Sequence, residues 1–479
     1  MIQSSTKTRL FEGVDFVAVT LYLLIVAIGC LCITSASSEG VEDNMFSFSH
    51  FYIKQIVWAG ISLVIALLVL LLDSSIFHKW AYVGYGFGLL LLLATLVVGE
   101  RINGAKAWIN LGVMMWQPVE VVKICTALAM ARLMSEYSFS ITRPSNLVKV
   151  AFLLLVPLLI IVMQNDTGSG VALGSFLFVL YREGLNKWLC IPILAVAALF
   201  IVSFLLSQTA LLILMILVCT LSEIMMNGVW RSRLIYLSAL FFSSILLYFV
   251  MWAISPGSMS YYASLLTVTL LSGLFVIAYA FRSRLTNIYL LVVLFICSLG
   301  FLSTTNVIFN HALKDHHKDR IEVFLGIKDD PVKTGYNVHQ SKIAIGSGGL
   351  FGKGFMEGTQ IKYGFVPEKH TDFIFCTVGE EWGFLGTMCV VTLFCLLILR
   401  LMRMGERQEE AFGRIYCYCV AAILLFHVMV NVGMTIGLMP VMGIPLPFMS
   451  YGGSSLMAFT IMLFIAIRLD ASTRSYSFR

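Results

Sequence analysis

Apolar runs of about twenty residues recur along almost the whole chain, each long enough to cross ~30 Å of hydrocarbon at ~1.5 Å per residue. Lipid offers no hydrogen bonds, so a chain crossing it alone must satisfy its own backbone groups, and each run is constrained to be a helix. Charge agrees: only 12% of residues are Asp, Glu, Lys or Arg, against about 25% in soluble domains. The runs predict helices near 15–36, 52–73, 79–98, 117–135, 147–163, 168–181, 188–206, 208–226, 234–254, 261–281, 286–306, 373–401, 412–436 and 448–469, about fourteen in all. The first run is too long for the apolar core of a cleaved signal and reads as a retained helix. The net charge of +6 points to basic membrane loops, not to nucleic acid. The cysteines lie mostly inside the apolar runs, and Cys417-x-Cys419 lacks a second pair or a His at zinc spacing, so they read as small buried residues.

An even number of helices puts both termini on one side. The loops on that side carry Lys7, Arg9, Lys79, Arg143, Lys149, Arg182, Lys187, Arg231, Arg233, Arg282, Arg284, Arg400, Arg403, Arg407, Arg414, Arg474 and Arg479. The short loops opposite carry Lys54, Arg101 and Lys106. By the positive-inside rule both termini are cytoplasmic. Residues 307–372 then form one long polar loop outside, and the chain 1–479 reads as a single integral membrane domain. The Gly-rich stretch from Ile345 to Gly354 permits tight turns, but it follows no strand and lacks nucleotide-binding spacing.

Ionisable groups near a bilayer are costly, so each cluster of them is a candidate site. Four fall at the outer edge. The first runs from Lys106 and Trp108 to Gln117, Glu120 and Lys123; Glu120 and Lys123 are spaced to pair on a helix, and Trp108 suits an interfacial anchor. The second is Gln164-Asn-Asp-Thr-Gly168, where Asp166 could simply cap a helix. The third holds Glu368, His370, Thr371 and Asp372, followed by Glu380 and Glu381. Since 383–401 alone could span the membrane, the two glutamates are expected to project or line a cavity. Capping would explain Asp372 but not two more acids within three turns. The fourth runs from Asn431 to Tyr451, where Pro440, Pro445 and Pro447 interrupt a helix and Ser450 follows. A solvated turn explains His311, His316 and His317 beside Asp315 and Asp319 better than a metal site does.

In this order the clusters resemble the SEDS family, for shape, elongation, division and sporulation. The matching stretches are Gly104-Ala-x-x-Trp-Ile, Gln117-Pro-x-Glu-x-x-Lys123, Gln164-x-Asp-x-Gly168, Gln340-Ser-Lys-Ile-Ala-Ile-Gly-Ser-Gly-Gly349, Pro367-Glu-x-His-Thr-Asp-Phe-Ile-Phe375 and Gly443-Ile-Pro-Leu-Pro-Phe-x-Ser-Tyr-Gly-Gly-Ser-Ser455. Gly358-Thr-Gln360 is more like the RodA, or elongation, branch than the division branch, FtsW. The family usually has Arg where Ala107 stands, Ser or Ala where Val119 stands, and Pro where Asn165 stands.

The resemblance implies an all-α polytopic bundle: a ten-helix family core, with about four further helices inserted within 190–306. It implies a glycosyltransferase of the bacterial inner membrane that joins lipid II, an undecaprenyl-pyrophosphate disaccharide-pentapeptide, into β1,4-linked peptidoglycan for elongation and shape. Asp372 would be the catalytic base. Substrate-binding or supporting roles fall to Lys106, Trp108, Glu120, Lys123, Asp166, Gln340, Lys353, Glu368, His370, Thr371, Glu380 and Ser450. Lys106, Lys353, Lys362 or Lys369 could neutralise the leaving pyrophosphate. No cofactor is evident; a divalent cation, Mg2+ or Mn2+, could help, though the sequence shows no dedicated cage. The implied partners are a class B penicillin-binding transpeptidase and membrane proteins of the elongation complex. The rival reading is a flippase for the same lipid or another lipid-linked-sugar transporter, which broken helices and embedded charges also suit.

Overall fold

A computed structural model describes residues 13–37, 51–102, 104–112, 114–185, 207–227, 230–255, 260–283 and 335–477. The chain divides into two compact units, Met1–Lys187 with Asp329–Arg479, and Trp188–Lys328. Among the described residues, eight helices are long and apolar enough to cross a membrane, and the protein is an all-α polytopic membrane protein.

The first unit opens with α1 (Phe16–Ala36), α2 (Phe51–Leu71) and α3 (Ser74–Val98). Asp15 caps α1 by accepting the Ala18 N–H at 3.1 Å, and Asp73 caps α3 through the Ser75 N–H at 3.1 Å. Between α3 and α4 (Pro118–Met134), where no strand was expected, lie β1 (Glu100–Ile102), β2 (Ala105–Asn110) and β3 (Met115–Trp116), paired antiparallel in that order. Then comes α5 (Pro144–Met163); Pro118 and Pro144 each sit in a first turn, where a missing N–H costs nothing.

The helix expected over 168–181 is two short ones, α6 (Thr167–Leu173) and α7 (Phe176–Arg182). Tight i to i−3 bonds replace the α pattern between them, from Gly174 N to Val171 O at 2.9 Å and from Ser175 N to Ala172 O at 3.1 Å.

The second unit contributes α8 (Gln208–Asn227), α9 (Trp230–Ile254) and α10 (Tyr261–Ser283). They pack on one another through Leu212, Ile216, Leu240 and Leu265. The helices expected near 188–206 and 286–306 and the histidines at 311, 316 and 317 lie outside the described residues.

The first unit resumes with α11 (Tyr336–Ser347) and α12 (Thr359–Lys362), helices inside what the sequence presents as a loop. It ends with α13 (Ile374–Glu406), α14 (Ala411–Thr435) and α15 (Gly453–Ser477). Helices α14 and α15 are the most buried of the spans and pack with α4 at the centre. On one side of this bundle, Asp15 and Asp470, both fully buried, share Arg407, and Asp15 also binds Arg400 at 2.8 Å. Burial pushes the Asp15 carboxyl up, but the two guanidinium groups outweigh it and hold it down at about 2.

One break organises the opposite side. Gly383 interrupts α13 with φ 65° and ψ −158°, a conformation essentially restricted to glycine. The Gly-rich stretch satisfies the backbone groups this frees. Lys353 and Gly354 donate to the carbonyls of Glu380 and Glu381 at 3.1 and 3.0 Å, while Phe384 and Leu385 donate to the carbonyls of Gly349 and Leu350 at 2.9 and 3.1 Å. A Cβ on Gly383 would stand 2.3 Å from the Gly352 nitrogen. Gly383→Ala therefore combines strain of about 1–3 kcal/mol with a backbone clash. Its melting temperature in detergent should fall clearly below that of the native protein; an unchanged value would show that the interlock is dispensable.

Candidate active site

Asp372 is presented by a tight turn. Glu368 takes φ 52°, and its carbonyl accepts the N–H groups of Thr371 at 3.1 Å and Phe373 at 3.2 Å. Its carboxylate accepts the Thr371 hydroxyl at 2.7 Å. The N-cap of α13 is Phe373, so Asp372 precedes the capping position. Asp372 is half-buried, and a Cβ on Gly443 would lie 3.6 Å from its Oδ2. Gly443 has φ 68°, where a side chain would be strained.

The turn is fastened to the proline-rich segment after α14 by side chains that bind backbone. Asn431 is fully buried and donates through Nδ2 to Asp372 O at 2.9 Å and to Ile444 O at 2.8 Å. Ser450 donates to Thr371 O at 2.7 Å and accepts the Leu446 N–H at 2.8 Å. The Tyr451 N–H donates to His370 O at 2.8 Å, and the His370 ring stacks on Phe51 with centroids 4.5 Å apart. The third and fourth clusters of the sequence are thus one structure.

The first cluster reaches it through a residue the sequence reading passed over. Lys123 Nζ lies 2.9 Å from both oxygens of Glu120, a fully buried pair. It also lies 3.1 Å from Nε2 of His427, whose Nδ1 is 3.2 Å from Pro445 O. An ammonium can only donate, so Nε2 accepts and the Nδ1–H donates to the carbonyl. The available signal was an embedded His one helical turn before Asn431.

The second cluster closes the ring. Asp166 caps α6, accepting the Ser169 N–H at 3.2 Å, and also accepts from Ser169 Oγ at 2.8 Å and Gln117 Nε2 at 2.9 Å. Gly168 packs so closely that an added Cβ would meet Met442 O at 2.3 Å. Lys106 is tied in by its backbone, N–H to Gln164 O at 2.8 Å, while its Nζ donates to Leu96 O at 2.6 Å and Val97 O at 3.0 Å, at the end of α3. Trp108 stands in β2 opposite Glu100, and Gln340 is half-buried on α11.

The two glutamates do not project, which corrects that part of the sequence expectation. Glu380 is fully buried and accepts from Lys353 at 2.7 Å and from the N–H groups of Gln360 at 2.8 Å and Ile361 at 3.0 Å. Glu381 is buried against the Ser35 hydroxyl. Both serve the interlock. Of the lysines suggested for the leaving group, Lys353 is bound to Glu380, Lys369 is buried with its Nζ 2.6 Å from Ile361 O, and Lys362 is exposed. Among the described residues no three His, Cys, Asp or Glu side chains converge as a metal cage. The oxygens of Asp166 and Glu380 are committed to protein donors.

Asn431→Ala removes the donor shared by two carbonyls and should cost about 1–3 kcal/mol for each one left buried without a partner. Thermal unfolding measures it; native stability would show that those carbonyls find other donors and that Asn431 is no fastening.

The family model described as "Cell cycle protein", covering FtsW, RodA and SpoVE, matches residues 16–217 and 208–475. Peptidoglycan glycosyltransferase RodA of Treponema pallidum is 31% identical over 469 residues, 98% of this chain and 99% of that protein. Peptidoglycan glycosyltransferase MrdB of Escherichia coli K12 is 27% identical over 459 residues, 95% of this chain and 94% of its own. The fold is similar to a solved chain described as "Structural coordination of polymerization and crosslinking by a peptidoglycan synthase complex", at TM-score 0.59, 24% identity and coverage of 96% and 98%. It is also similar to the crystal structure of Thermus thermophilus rod shape determining protein RodA, at TM-score 0.55, 24% identity and coverage of 96% and 97%. With the match running from α1 to α15, this chain belongs to the FtsW/RodA/SpoVE family, the SEDS proteins.

Proposed function

We infer that this chain is a peptidoglycan glycosyltransferase of the RodA type, polymerising lipid II. The observation that carries the reading is the convergence of four separate polar clusters on the turn that presents Asp372, in a chain whose full-length relatives bear that name. Those names favour polymerisation over the flippase alternative.

In the proposed reaction the acceptor's sugar hydroxyl attacks the anomeric carbon of the donor. Its proton passes to the Asp372 carboxylate as the new C–O bond forms. The bond from that carbon to the pyrophosphate oxygen breaks, and undecaprenyl pyrophosphate leaves with the electron pair. Attack opposite the α-linked leaving group gives a β1,4 bond. Exposed Lys362 remains available for the leaving charge, whereas Lys106 and Lys353 are held by carbonyl and carboxylate partners. Ser450 holds the backbone beside Asp372, Glu120 and Lys123 act through His427 on the Pro445 carbonyl, and Asp166 fixes the start of α6.

The basic loops support an orientation with both termini cytoplasmic and Asp372 outside the inner membrane. A class B penicillin-binding transpeptidase is the proposed partner, in keeping with the synthase-complex neighbour. The inserted helices are proposed to lie within 190–306, a region in which the family match splits in two.

Asp372→Asn keeps the shape of the side chain and removes its basicity. Because Phe373 is the helix N-cap, the change should leave folding intact while polymerisation of purified lipid II falls on the order of 10²–10⁴-fold. Near-normal polymer from a variant with native melting temperature would overturn the assignment.

Orientation is tested separately, by single cysteines at Lys362 and Arg403, both exposed, in a background without reactive thiols. A membrane-impermeant maleimide added to intact cells should label the first and spare the second; labelling of both would sink the topology.

A further inference from the structure

Helix α13 provides a ruler for the membrane. Beyond Gly383 its exposed large residues are Phe384, Leu385, Met388, Leu396, Leu399 and Met402, a single helical stripe. Its first exposed charge is Arg403. About twenty residues at ~1.5 Å each separate Phe384 from Arg403, which is ~30 Å, the thickness of the hydrocarbon layer. Phe384 therefore stands at the boundary opposite Arg403.

The Gly-rich loop is docked at that level by the two bonds from Phe384 and Leu385 to Gly349 O and Leu350 O. Its side chains are arranged inside out for a water-facing loop. Leu350 is 54% exposed, Phe351 75% and Phe355 45%, and they adjoin the exposed Phe384 and Leu385. The only charged residue between Gly349 and Phe355, Lys353, turns inward to Glu380 and Thr359. In water this costs transfer free energy at every large side chain, and a surface loop gains nothing by it.

We propose that the loop Gly349–Phe355 is seated in the bilayer, with Leu350, Phe351 and Phe355 inserted among the acyl chains just below the headgroups, as a continuation of the lipid-facing stripe of α13. The occupant is lipid rather than a partner protein because the surface is unbroken from loop to stripe and lies where the ruler puts the hydrocarbon edge. Lys353 and Glu380 join this loop to α12, and Lys369 joins α12 to the turn before Asp372, so the anchor holds the site's rim at headgroup depth. That consequence rests on the proposed function, since it places the rim where a lipid-linked pyrophosphate lies. The depth itself is measured without reference to activity.

The test uses Phe351→Trp and Phe355→Trp in nanodiscs of phosphatidylcholine and phosphatidylglycerol, read as difference spectra against the eight native tryptophans. Tyr137→Trp, at a fully exposed position, is the water-facing control. Both loop variants should add blue-shifted emission that loses most of its intensity to lipids brominated near the headgroup end of the chain, and less to lipids brominated near the terminus. The control should emit as in water and ignore the bromines. Water-like, unquenched emission from both loop positions would overturn the proposal. So would a blue shift that appears only when a transpeptidase partner is added, which would make the surface a protein interface.

Discussion

Backbone hydrogen bonding at the breaks in the helices is the constraint on which the rest of this structure depends. Each interruption near the bilayer frees N–H and C=O groups that lipid cannot satisfy. At Gly383 a second segment of chain supplies the partners, carbonyl for amide and amide for carbonyl. After α14 the partners are side chains: Asn431 and His427 bind the Ile444 and Pro445 carbonyls within the proline-rich segment, and Ser450 accepts the Leu446 N–H there while donating to Thr371 O. Asn431 and Ser450 of the fourth cluster are such partners.

The buried charges obey the same logic. Removing one member of a buried pair leaves an uncompensated ion and typically costs ~3–5 kcal/mol, although the pair as a whole adds little stability over an apolar replacement. The Glu120–Lys123 pair is therefore better understood through what it orients. The ammonium fixes the imidazole of His427, and the imidazole holds the Pro445 carbonyl two residues from Gly443 and the Asp372 carboxylate. On the opposite side of the bundle, Asp15, Arg400, Arg407 and Asp470 tie the start of α1 to the ends of α13 and α15.

Much of this was legible in the sequence because membrane helices and expensive polar residues leave strong signals. The spans of α1, α2 and α14, the Glu120–Lys123 pair and the reach of a full span beyond Gly383 could all be read from spacing and composition. The contacts that bring residues 372, 431 and 443 together are tertiary and leave no local trace. The two glutamates misled for a physical reason: beside a membrane, two acids read as exposed, yet a broken helix offers them amides and a lysine inside. The strands at 100–116 are short and carry no clear alternation. Two departures from the family pattern now have local explanations. Asn165 takes φ 59°, which asparagine tolerates and proline cannot adopt, and Ala107 is buried in β2, where its small side chain meets no solvent.

Magnitudes decide how the active site divides its work. A general base contributes about 10²–10⁴ in rate, or ~3–5 kcal/mol, whereas enzymes lower barriers by ~8 kcal/mol or more. As the proposed base, Asp372 would leave the larger part of the acceleration to other causes. Holding two reactants in a near-attack arrangement can supply ~7–11 kcal/mol, provided the groups that hold them do not drift. The structure devotes its buried donors to that end. Asn431 pins the carbonyl of Asp372 itself, Ser450 pins the preceding one, and the Glu368 turn closes the segment from behind. In the proposed reaction a weak base on a rigid backbone suits substrates that arrive anchored in the same two-dimensional layer, because the lipid tails already restrict much of the motion that the site would otherwise have to freeze.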